Sequence, residues 1–79
     1  MAEVRINAGA TYVFAAGQLE DTLELDNRHN VNGNVLYQIG AAPQVTVPIV
    51  PNEEYTINNI RGQQVTVQNG LPNSLYCVW

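Results

Sequence analysis

The chain has 79 residues, a net charge of −4 and a single cysteine, Cys77. That length holds one domain, residues 1–79, with no internal disulfide and too few His and Cys ligands for a structural zinc site. Its only cations are Arg5, Arg28 and Arg61, so nucleic acid and anionic membranes are poor partners, because both demand clustered positive charge.

Short runs rich in Val, Ile, Thr and Tyr, bounded by Gly, Asn and Pro, predict eight strands. Residues 3–6 open the chain and end at Asn7-Ala8-Gly9. Residues 11–14 alternate, with Tyr12 and Phe14 on one face. Gly17 interrupts the one weak helical window, Ala15 to Leu23. Residues 22–26 place Leu23 and Leu25 inward. Residues 34–39 put Val35, Tyr37 and Ile39 together. Residues 44–47 are followed by Pro48, which ends the expected strand. Residues 54–58 pair Tyr55 with Ile57, and residues 64–68 pair Val65 with Val67. Residues 74–79 close the chain, with either Leu75, Cys77 and Trp79 or Tyr76 and Val78 turned inward. Turn chemistry is read at Asn32-Gly33, Pro43, Pro51-Asn52, Arg61-Gly62 and Asn69-Gly70. The fold class is therefore all-β: a single β-sandwich or small barrel of about eight short antiparallel strands.

A weak internal pseudo-repeat runs through these strands. Tyr12-Val13-Phe14 corresponds to Tyr55-Thr56-Ile57. Residues 22–27 correspond to residues 64–69, both ending in Asn. Leu36-Tyr37-Gln38-Ile39 corresponds to Leu75-Tyr76-Cys77-Val78. Two halves of this kind should superpose, with Tyr37 on Tyr76.

A domain this small is marginal by itself, and oligomerisation or docking onto a larger body is the staple left once disulfides and metals are set aside. Charged residues make up 13% of the chain, against a usual figure of about 25%. The surface must rely on Asn, Gln, Thr and Gly, which suits uncharged contacts between subunits. No apolar run is long enough to span a bilayer. The start Met-Ala-Glu-Val-Arg lacks the pattern of a signal peptide, so synthesis in a cytoplasm is expected.

No constellation of residues points to catalysis. His29 lies in a polar loop, residues 27–34, with no nucleophile in sequence reach; a solvated loop histidine is the expected role. Cys77 has apolar neighbours and reads as a small buried hydrophobe. The pairs Glu20-Asp21 and Glu53-Glu54 lack the ligand spacing of a calcium loop. Glu24 and Asp26 extend acidity along one polar face, which could meet a basic partner. Trp79 either plugs the core or anchors into another chain. No catalytic residue, cofactor or metal is expected, and Arg28, His29 and Trp79 are the candidate partner contacts.

Five segments carry a likeness: Leu23-Glu24-Leu25-Asp26-Asn27, Val35-Leu36-Tyr37-Gln38-Ile39-Gly40, Val50-Pro51-Asn52-Glu53-Glu54-Tyr55, Val65-Thr66-Val67-Gln68-Asn69-Gly70 and Leu75-Tyr76-Cys77-Val78-Trp79. In style they resemble the jelly-roll-like head-decoration (cement) or fibre-attachment proteins of tailed bacteriophages. The resemblance covers most of the chain. It implies a non-enzymatic virion protein, often trimeric, that binds the major capsid protein and stabilises the head. A carbohydrate-binding (lectin-like) module and a small phage-encoded inhibitor of a host defence protein are the alternatives.

Overall fold

The computed structural model describes residues 1–79, all in strands, turns and loops. The strands are β1 (Glu3–Ile6), β2 (Thr11–Phe14), β3 (Leu23–Asp26), β4 (Gly33–Ile39), β5 (Val45–Ile49), β6 (Glu54–Ile57), β7 (Val65–Gly70) and β8 (Leu75–Val78). They form two antiparallel four-stranded sheets, ordered β1-β8-β3-β6 and β2-β7-β4-β5. The eight-stranded sandwich expected from the alternation is present, and its strand order is that of a jelly roll.

The strand alternation explains the two layers. Ile6, Leu23, Leu25, Ile57, Leu75 and Cys77 turn inward from the first sheet, and Phe14, Val35, Val47, Ile49, Val65 and Val67 from the second. Three further core residues, Leu19, Ile60 and Leu71, come from loops. Leu19 and Ile60 lie in two connections tied by backbone hydrogen bonds from Gly17 N to Gly62 O, Gly62 N to Glu20 O and Ile60 N to Asp21 O. Those bonds let two loops insert apolar side chains without orphaning their own peptide groups.

Two strands run differently from the sequence expectation. β5 continues through Pro48 to Ile49 because it is an edge strand, where a residue lacking an N–H breaks no ladder. Asn69-Gly70 is no turn but the end of β7, where Gly70 faces Asn34 of β4. Gly70 is required there: an added Cβ would run into the Asn34 carbonyl oxygen.

The pseudo-repeat is legible in the register. Advancing each strand by four places, cyclically, turns the order β1-β8-β3-β6 into β5-β4-β7-β2, which is the second sheet read backwards. Leu25 opposes Tyr55 as Val67 opposes Tyr12, and Leu23 opposes Ile57 as Val65 opposes Phe14. The expected match of Tyr37 to Tyr76 is one residue out, however. Leu25 pairs with Cys77, and Val67 pairs with Tyr37, so Tyr37 corresponds to Cys77 and Leu36 to Tyr76. A slip of one residue exchanges the faces of a strand. The shared Leu-Tyr dipeptide therefore marks opposite faces in the two halves.

The asparagine shared by both halves has the same job in each. Asn27 Nδ2 donates to Val31 O (2.7 Å) and Val50 O (3.0 Å), and its Oδ1 accepts from His29 N (3.2 Å). Asn69 Nδ2 donates to Asn73 O (2.8 Å) and Ile6 O (3.0 Å), and its Oδ1 accepts from Leu71 N (2.9 Å). Each side chain holds the N–H two residues on and the carbonyl four residues on, and ties that loop to a neighbouring strand's end. Both are buried, at 1% and 0% exposure, and fully partnered.

Candidate functional site

The two sheets have different outer faces. Register puts Glu3, Arg5, Tyr76, Val78, Glu24, Asp26, Glu54 and Thr56 on the outside of β1-β8-β3-β6. Thr11, Val13, Thr66, Gln68, Asn34, Leu36, Gln38, Thr46, Pro48 and Gly70 form the outside of β2-β7-β4-β5. The first face carries every charged residue found in a strand, and the second carries none.

Arg28 and His29 meet on the charged face, over Tyr76. The Arg28 guanidinium sits 4.2 Å from the Tyr76 ring centroid, a cation–π distance. Its Nε donates to Asp26 Oδ2 at 3.1 Å and its Nη2 to Glu3 Oε1 at 2.5 Å. The ring of His29 stacks on Tyr76 with centroids 6.5 Å apart. Within the pseudo-repeat, His29 N and Leu71 N make the same bond to their asparagines, so His29 stands where the other half buries Leu71.

Charge on this face is unevenly compensated. The Arg28 hydrogen bond holds the Glu3 carboxyl below the usual carboxylate range. Glu24 is pushed above that range, by desolvation first and then by the neighbouring charges of Glu54 and Asp26, against a smaller opposing pull from Arg28. Glu24, Asp26 and Glu54 place carboxylate oxygens within 4.8 Å of one another and are the only group that could share a cation. Spacing along the chain hid this cluster, because Glu54 reaches Asp26 only through the β3–β6 register.

Trp79 lies apart, beyond the opposite end of β8. Its ring packs edge-on against Phe14 at 5.2 Å, and its backbone exchanges hydrogen bonds with Ala2. Trp79 closes the core, as the first of its two sequence readings has it, and keeps an exposed flank. That flank, with Gln18, Glu20, Asp21 and Thr22, lines an open cleft of about 390 Å³. Asp21 Oδ1 is already engaged by Arg61 N at 3.3 Å.

Cys77 is fully buried, and burial pushes its thiol up to about 12. It packs as the hydrophobe its neighbours implied.

No family model and no curated protein matches the chain. Solved structures do match in shape. Drosophila melanogaster CENP-C bound to CAL1 is similar over 96% of this chain and 60% of that one, with a TM-score of 0.56 and 19% identity. The cupin domain of Drosophila melanogaster CENP-C is similar over 96% of this chain and 56% of that one, again with a TM-score of 0.56 and 19% identity. The fold is a cupin-like jelly roll. This chain spans little more than half the length of those structures, and the likeness is one of fold.

Proposed function

We propose that the chain is a non-catalytic structural protein that works through protein–protein contact, as a self-associating decoration protein bound to the major capsid protein of a phage head. One observation carries this reading: the residues best suited to chemistry are used for packing. His29 is stacked on Tyr76, and the Cys77 thiol is buried. What remains outside is two sheet faces and short loops. The sequence resemblance adds the virion context, and a homotrimer is the assembly it suggests. One of the CENP-C structures of similar fold is bound to a protein, CAL1, which suits a sandwich used for docking. Mass spectrometry of purified particles of the encoding phage tests the reading. The chain should be present in fixed proportion to the major capsid protein, and its absence from particles while the gene is expressed overturns the proposal.

The cleft beside Trp79 favours a second reading, a carbohydrate-binding module. An indole face can stack on a sugar ring while the Gln18 amide N–H donates to its hydroxyls and Glu20 accepts from them, the Gln18 Oε1 being held by Ala15 N. A glycan array followed by NMR titration tests it. Displacement of the Trp79 indole N–H signal by a bound glycan supports this reading, and silence across the array removes it.

A further inference from the structure

We propose that the uncharged outer face of β2-β7-β4-β5 is a self-association surface, on which a second copy of this chain docks face to face. The proposal rests on the protein-contact reading above, and it puts a two-fold pair in place of the trimer that the resemblance suggests.

Charge selects this face. The chain carries −4, so two copies repel unless the contact keeps like charges apart. Stacking the other sheet on its own copy would bring two net-negative faces together, because Glu3, Glu24, Asp26 and Glu54 outnumber Arg5 and Arg28 there, and Glu24 already feels such repulsion within one chain. The β2-β7-β4-β5 face has no charge to desolvate or oppose.

The chemistry of the face selects a copy of itself as occupant. Its polar groups are the hydroxyls of Thr11, Thr46 and Thr66 and the amides of Asn34, Gln38 and Gln68. Each both donates and accepts a hydrogen bond, so any of them can pair with whichever of the set lies across a two-fold axis. The opposite face lacks this balance, since the carboxylates of Glu3, Glu24, Asp26 and Glu54 only accept and outnumber the guanidiniums of Arg5 and Arg28. Apolar contact comes from Leu36 in the central row and from Val13, which is 52% exposed. An identical patch meeting itself closes a two-fold dimer.

Size sets the strength. Four strands at about 4.8 Å spacing, each roughly five residues long, give a footprint of about 300–400 Å². Stable dimers hide about 800 Å² per partner, so this contact is weak in dilute solution. Copies held side by side on a larger body reach millimolar effective concentrations, where a weak contact suffices.

Sedimentation equilibrium from about 10 μM to about 1 mM tests the proposal, the upper limit matching that effective concentration. A reversible dimer is expected, with little weakening by salt because no ion pair forms. Gln68→Glu, nearly isosteric and exposed, should weaken the dimer about tenfold or more, and Gln68→Glu with Thr46→Glu should abolish it. Thr56→Glu, on the opposite face, should leave it intact. Circular dichroism confirms that each variant folds. A chain monomeric at every concentration overturns the proposal, and so does a dimer that survives the double variant. The protein-contact reading fails separately. Absence from particles with a Gln68-sensitive dimer leaves the surface standing, while presence in particles as a strict monomer removes the surface alone.

Discussion

Asn27 and Asn69 are the residues whose loss should tell most about how the loops are held. Each satisfies three backbone groups, and truncation leaves those groups without partners. An orphaned buried polar group costs about 1–3 kcal/mol. Asn69 is the more deeply enclosed, with two of its three bonds fully buried. Asn69→Ala should therefore destabilise by about 3 kcal/mol and Asn27→Ala by about 2 kcal/mol, read from urea unfolding midpoints. Equal or negligible losses would show that water replaces the amides. Cys77 supplies a pH test. Its thiol titrates at about 12 when folded and near 8.5 when unfolded. The folded state then binds more protons between those values, so stability falls as pH rises from about 9 to about 12. Tyr37, raised by desolvation and by Tyr55, adds the same sign. Thermal unfolding of Cys77→Ala should show a shallower alkaline decline; an identical slope would assign the decline elsewhere. The burial of Cys77 was legible from its apolar neighbours. The pairing of Arg28 and His29 over Tyr76 was not, because it joins residues almost fifty positions apart, as the stacked rings of His29 and Tyr76 show.

At the scale of elements, alternation located all eight strands but not where each stops. Pro48 and Asn69-Gly70 read as breakers because their local chemistry favours turns. Tertiary position overrides that preference. An edge strand tolerates Pro48, and close approach of β4 demands a residue without a side chain at Gly70. Gly70→Ala must push the Asn34 backbone away, opening the β4–β7 ladder that carries the second sheet. The expected loss is about 2–4 kcal/mol, larger than a glycine-to-alanine change in an open loop and opposite in sign to the entropic gain alanine brings elsewhere. Gly17→Ala is a useful comparison: its added Cβ meets nothing, but its φ of 86° is left-handed, so only backbone strain is incurred. If Gly70→Ala proves no worse than Gly17→Ala, the contact with Asn34 is not what constrains the strand. Leu19, Ile60 and Leu71 escaped the sequence reading because a loop residue has no period to betray its burial.

The whole molecule is a pseudo-two-fold sandwich whose halves kept their backbone plan and diverged in their outer faces. Register and asparagine geometry repeat between the halves, while charge does not: carboxylates gather on one sheet and amides, hydroxyls and Val13 cover the other. The low charge of the sequence implied a largely uncharged surface, but only the sheet order shows that the neutral residues come from four strands and share one face. The most direct measurement of this division is the concentration dependence of amide and methyl NMR signals from the folded chain, between about 10 μM and about 1 mM. Shifts confined to Thr11, Val13, Leu36, Gln38, Thr46, Thr66 and Gln68, with Glu24, Thr56 and Tyr76 unmoved, are the predicted result. Signals unchanged on dilution, or shifts centred on the Glu24, Thr56 and Tyr76 face, would contradict it.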